Sequence, residues 1–155
     1  MELARNLKID SVSRLPPDQP LVRPRGCSIG DAVAAMRAAD VGCLLVCDGD
    51  QLVGVFTERD LMRRVIARGL DWSAALESVM TPNPVTLALK DSVRTAIRRM
   101  EKGGYRNLPV VDDAGRPIGI VSVMRIVHYL AEHFPVAVYN LPPNPHAWPT
   151  SPDGG

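Results

Sequence analysis

Leu45-Val-Cys-Asp-Gly-Asp-Gln-Leu-Val-Gly-Val-Phe-Thr57 and Val110-Val-Asp-Asp-Ala-Gly-Arg-Pro-Ile-Gly-Ile-Val-Ser122 are two copies of one pattern. Leu45, Val46, Asp48, Gly54, Val55 and Thr57 match Val110, Val111, Asp113, Gly119, Ile120 and Ser122 at an offset of 65. In each, an apolar run enters a turn rich in Asp and Gly, and a second apolar run ends on a hydroxyl residue, the reading of a strand pair. Upstream, Ser28, Ile29, Val33 and Met36 match Ser92, Val93, Ile97 and Met100, and Pro20-Leu21-Val22 matches Pro84-Val85-Thr86, all at 64. The change of offset puts a one-residue insertion in the loop after the first helix of the second copy. Blocks repeated in the same order mark an internal repeat.

Each copy reads the same way. An extended piece (21–22 or 85–87) precedes an amphipathic helix (29–39 or 92–102), with Val33 and Met36, or Ile97 and Met100, on its apolar face. Ser28 with Asp31 three residues on is a helix-start signal. A buried strand follows (43–47 or 107–111), then a turn, a second strand (51–56 or 117–121) and a last helix (58–68 or 123–133). The expected fold is α/β (α+β), two β-α-β-β-α repeats. One such unit leaves a sheet face uncovered, so the two should pack as a pseudo-two-fold pair. The expected organisation is a polar lead over 1–11, repeat 1 over 12–76, repeat 2 over 77–134 and a tail over 135–155. The tail holds six prolines in 21 residues, which block helix and central strand, with Tyr139, Leu141 and Trp148 as possible anchors.

Composition narrows the function. The 155 residues are 46% hydrophobic and 23% charged, a globular mix long enough to need no disulfide or metal staple. A net charge of +1 lacks the electrostatic grip of a nucleic-acid binder. The longest apolar run, about Val41 to Cys47, is too short to span a bilayer, and no signal-peptide core follows Met1. Three cysteines, an odd number, argue for a reducing compartment, and the expected location is the cytoplasm.

Val79-Met-Thr-Pro-Asn-Pro-Val-Thr86, Asn107-Leu-Pro-Val-Val-Asp112, Gly54-Val-Phe-Thr-Glu-Arg-Asp60 and Gly119-Ile-Val-Ser122 together resemble the cystathionine-β-synthase (CBS) domain in its tandem form, the Bateman module. The resemblance covers roughly residues 12–134 and implies a stand-alone pair, since the chain has no room for an attached enzyme or channel. It further implies regulatory binding of an adenosine ligand (AMP, ADP, ATP or S-adenosylmethionine) between the copies, and a homodimer.

Carried over by that resemblance, Thr57 and Asp60 are the residues that hold ribose and phosphate. The chemistry agrees, because a carboxylate can accept hydrogen bonds from both ribose hydroxyls. The same Thr-x-x-Asp spacing also makes a plain helix capping box. In the second copy Ser122 keeps the hydroxyl, but Arg125 stands where the family has Asp. Arginine only donates, so this site is either degenerate or a phosphate grip. Arg106 is a further phosphate contact implied by the family, with Val41 at the aligned place in the first copy. Leu21, Val22, Val85 and Thr86 map onto the adenine slot. One good ribose site per chain is expected.

Cys43 and Cys47 alternate on one strand face and read as core thiols, and no cluster with metal-ligand spacing accompanies them. No catalytic motif is present, so no enzyme, required cofactor or metal is expected. Met62, Met80, Met100 and Met124 read as core or dimer contacts. Two functions remain: an adenosine-ligand sensor that acts through shape change on an effector protein, and a ligand-free dimer scaffold for protein–protein interaction. Neither involves nucleic acid or membrane.

Overall fold

Each hydroxyl residue that the repeat places before a helix caps it, in a computed structural model that describes residues 2–134. Ser28 and Ser92 accept from the amides of Asp31 (3.1 Å) and Thr95 (3.0 Å) at the starts of α2 (Ile29–Ala39) and α4 (Val93–Gly103). Thr57 opens α3 (Glu58–Asp60) and Ser122 opens α5 (Val123–His133) in the same manner. The proline-rich tail and its aromatic anchors lie outside the described residues.

The polar lead departs from expectation. Glu2–Ile9 is a helix, α1, and Leu7 packs against the second copy's core. A second departure follows Asp60. The expected single α-helix over 58–68 is only three residues of α3, which continue as a π turn over Leu61–Ile66.

The two hairpins run as read, but the extended piece expected over 85–87 gives only a single bridge at Leu87, and a short strand that was not expected lies at Thr81–Pro82. In the first copy β1 (Val22–Pro24) pairs parallel with β2 (Cys43–Asp48), and β2 pairs antiparallel with β3 (Gln51–Thr57). β3 then pairs antiparallel with β4 (Thr81–Pro82), giving the order β1-β2-β3-β4. In the second copy β5 (Asn107–Val111) pairs antiparallel with β6 (Pro117–Ser122). Single bridges extend it on both sides: Leu87 parallel to Val110, and Asp18 antiparallel to Ile120.

The two copies exchange their leading turns. The 3₁₀ turn Val12–Arg14 precedes the first copy, yet Val12 and Leu15 are buried in the core of the second with Val93, Leu108 and Val121. The turn Leu76–Ser78 precedes the second copy, yet Leu76 and Val79 are buried in the core of the first with Ile29, Leu44 and Phe56. Backbone contacts repeat the exchange: Ser11 bridges Ser92 while Ala75 bridges Ser28.

Between the two sheets lies a third cluster, Cys43, Leu45 and Ile120, with Val22, Leu52 and Val55 against it. β2 is therefore buried on both faces, which is why it reads as an unbroken apolar run. The Leu52 amide donates to the Gly115 carbonyl (3.2 Å) and ties the two hairpins together.

The structure corrects the place of the insertion. Leu44 and Val46 face the first core, and their counterparts facing the second are Leu108 and Val110, an offset of 64. The first helices also end alike, on Asp40 and Gly104, both left-handed. The extra residue sits in the hairpin instead. Gly49-Asp50 closes the first in two residues, with Gly49 at φ 59°, whereas Asp113-Ala114-Gly115 closes the second in three, with Gly115 at φ 80°. Two- and three-residue hairpin loops are both common, and each needs a residue with positive φ here. Because side chains alternate along a strand, matching Leu45 to Val110 would have set a residue of the inter-sheet cluster against a core residue.

Candidate functional site

Thr57 ends β3 and caps α3 with a reciprocal box. Asp60 N donates to Thr57 Oγ1 (3.3 Å), and Thr57 N and Oγ1 donate to Asp60 Oδ2 (3.0 and 3.1 Å). Asp60 is buried, at 8% exposure, and is the one buried charged residue among those described. Its other oxygen, Oδ1, faces Arg64 Nε at 3.6 Å. Arg64 Nη1 in turn donates to the carbonyls of Val79 (3.1 Å) and Met80 (2.8 Å). A buried carboxylate beside a cation, with one oxygen spent on its own cap and one directed elsewhere, can accept hydrogen bonds from a diol.

Neighbours sharpen the site. The Glu58 amide donates to the Gly42 carbonyl (3.1 Å), and a Cβ on Gly42 would meet the Glu58 carboxylate at 3.1–3.4 Å. Cys43 lies opposite Thr57 in the strand register. Burial, and then the charge of Asp60, push its thiol from 9.0 up to about 12. It is an inert core thiol there, not a nucleophile.

The second copy builds a different site from the same frame. Ser122 Oγ accepts from the Arg125 amide at 3.1 Å, and the Val123 amide donates to the Arg106 carbonyl at 2.9 Å. Ser122, Arg125 and Arg106 thus meet at the start of α5. The Arg125 guanidinium pairs with Asp18, 107 residues earlier, while its Nε is buried without a partner. The corrected register sets Arg106 against Gly42, not Val41, so the first copy has no side chain at this place.

The expected adenine-slot residues are spread. Leu21 packs against the first core, and Val22 joins the inter-sheet cluster. β2 separates β1 from the strand that carries Thr57. Val85 is exposed, and the Thr86 carbonyl accepts from Arg99 Nη1 at 2.6 Å. A cleft of about 320 Å³ lies at the hairpin ends, lined by Val22, Cys47, Gly49, Asp50, Arg116 and Pro117, away from Thr57 and Asp60.

Sequence reasoning missed two participants. Arg64 follows Asp60 by four residues, the spacing of a helical ion pair, and was legible in principle. Asp18 carries no local signal at all. Among the described residues, no helix is long and apolar enough to cross a membrane.

Comparison with known proteins agrees with this architecture. The family model of the CBS domain matches twice, over residues 12–67 and 76–132. Among curated proteins, the arabinose 5-phosphate isomerase KdsD of Francisella tularensis is 31% identical over 121 residues, 78% of this chain and 37% of the isomerase. The chain spans only 15% to 37% of the length of the first three curated relatives it matches. Among solved structures, the CBS domain pair of protein MJ0100, in complex with 5′-methylthioadenosine and S-adenosyl-L-methionine, matches with a TM-score of 0.71 at 26% identity, over 77% of this chain and 98% of that one. CBSX2 in complex with AMP matches with a TM-score of 0.68 at 25% identity, over 79% and 97%. With two matched copies, exchanged turns and a shared inter-sheet core, the chain belongs to the CBS-domain family, as a tandem pair.

Proposed function

We propose that this pair is a regulatory module that binds one adenosine ligand per chain, at Thr57 and Asp60. The observation that carries the reading is Asp60. A carboxylate kept at 8% exposure costs free energy unless it is paired. Its cap and Arg64 supply that pairing and leave acceptor capacity for a ribose diol. Structural neighbours that hold AMP, or S-adenosylmethionine with methylthioadenosine, support the ligand class.

The second site is the reason for one ligand. Arg125 has no acceptor to offer ribose hydroxyls, and Asp18 occupies its guanidinium. Arg106 and Arg125 are the residues for any phosphate end. Leu21, Val22, Val85 and Thr86 remain the proposed lining for adenine, with the backbone supplying base recognition. No catalytic step is assigned to the module, and it acts on an effector protein through a difference in ligand affinity between two states.

The pair is also proposed to form a homodimer. Met62 in the π turn and Val127 in α5 hold matching places in the two copies and are both exposed, as are Ile66 and Met124 nearby. A second copy of the chain would cover these faces. Free Cys27, Cys43 and Cys47 accord with a reducing, cytoplasmic setting.

The test is calorimetric titration of AMP, ADP, ATP and S-adenosylmethionine, with GTP as control, into the wild type and Asp60→Asn. The substitution keeps an oxygen for the Thr57 cap while removing the charge. One equivalent of one adenine ligand per chain, lost in Asp60→Asn, is the expected result. No binding of any of them to the wild type overturns the reading in favour of the ligand-free scaffold.

A further inference from the structure

Arg64 joins the Asp60 carboxylate to the connector that leads into the second copy. Asp60 Oδ2 is held by two donors from Thr57, so the oxygen left for a ligand is Oδ1, the one that Arg64 Nε faces at 3.6 Å. At that distance the guanidinium acts by charge and leaves lone pairs on the oxygen free. Its Nη1 is fastened to the Val79 and Met80 carbonyls. Directly after them, Thr81–Pro82 lies against β3 as β4. The segment that carries Arg64 is the π turn Leu61–Ile66, a rare winding that is frequent at functional sites.

The second copy is the internal control. At the place of Arg64 it has Tyr129, which bonds Asp10, and its last helix is regular. The acid, the cation four residues on and the π turn occur together in one copy and are all missing from the other.

Resting on the ribose reading of Asp60, we propose that Arg64 is a positioning residue that aims Oδ1 at the ligand and carries its engagement to the Val79–Pro82 connector. A ligand hydroxyl that draws Oδ1 changes the field at Nε. The rigid fork of the guanidinium passes that change to the two carbonyls it holds. The connector joins the copies, so this contact gives occupancy of one site a route to their relative placement.

The experiment titrates AMP and S-adenosylmethionine into the wild type, Arg64→Met and Arg64→Lys. It also follows hydrogen exchange over residues 79–83 with and without saturating ligand. Arg64→Met keeps the stem and is expected to bind about tenfold more weakly, the loss of one charge-assisted contact. It should also lose the ligand-induced change at 79–83. Arg64→Lys should recover part of the affinity through its charge but not the connector response, since an ammonium has no planar fork. Wild-type affinity together with a wild-type connector response in either variant overturns the proposal, and leaves the ribose reading standing. Failure of the wild type to bind either ligand removes that reading and this inference with it. If Arg64→Met does not fold, Arg64→Lys decides alone.

Discussion

Val12 and Leu76 hold equivalent places in the repeat, and each lies in the other copy's core: Val12 with the second, Leu76 with the first. The pair is therefore not two domains in a row. Each copy lacks a piece of its own interior and receives it from the segment that leads into the other. The exchange makes the interior of each half depend on the other.

Leu15→Ala removes a fully buried side chain from the second core, and Val79→Ala removes one that is 2% exposed from the first. Core truncations to alanine of the larger kind cost about 2–5 kcal/mol, and the smaller valine should lie at or below the low end. Although the residues sit at opposite ends of the exchange, both variants should unfold in one transition, with urea curves from far-UV dichroism and tryptophan emission superimposing. Separate transitions for the halves would contradict the exchange.

Gly119 and Gly54 occupy matching places in β6 and β3, where the exchanged segments cross. A Cβ on Gly119 would come within 2.5 Å of Pro17 Cβ, part of a rigid ring. A Cβ on Gly54 would meet the flexible end of the Met80 side chain, which can swing aside. Gly119→Ala should then destabilise by about 1–3 kcal/mol, the usual cost of overpacking, and Gly54→Ala by less. Paired denaturant titrations measure the order, and equal costs would refute this account.

Alkaline pH should loosen the fold, chiefly through Cys43 and Tyr129, with Cys27 and Cys47 acting in the same direction. Burial raises Cys43 from 9.0 to about 12. Burial, and then the bond and charge of Asp10, raise Tyr129 from 10.0 to about 12. Both hold their protons more tightly folded than unfolded. Their contribution is complete below about pH 9 and is lost as the pH climbs toward 12, because the unfolded chain releases the protons first. Unfolding midpoints should stay level from pH 8 to about 9 and fall at pH 10 and again at 11, and Cys43→Val with Tyr129→Phe should flatten the slope.

Met62 and Met124 are 60% and 58% exposed on the last helical segments of the two copies. If a second copy covers them, Met62→Glu with Met124→Glu buries charge in an apolar interface and should yield monomers. Light scattering coupled to size exclusion reads the mass directly. A wild type that is already monomeric removes the dimer proposal.

Much of this was legible in the amino-acid order, because the signals are local. Short, nearly unbroken apolar runs mark β2 and β5, the helical period marks α2 and α4, and a hydroxyl before each helix marks its cap. The repeat and the Thr57–Asp60 box followed from the same short-range rules, and so did the resemblance that named the family. α1 was missed because its apolar face is only a few residues wide and forms by packing on the second copy. The insertion was misplaced because either register aligns apolar with apolar. Leu44 and Leu45 are both fully buried, and only their packing partners tell Leu44 in the core from Leu45 in the inter-sheet cluster. The pairing of Asp18 with Arg125, the exchange of Val12 for Leu76 and the hold of Arg64 on Val79 and Met80 were decided by tertiary structure alone. Each joins residues far apart in the chain, and no local pattern of charge or hydrophobicity records which distant backbone a side chain will meet.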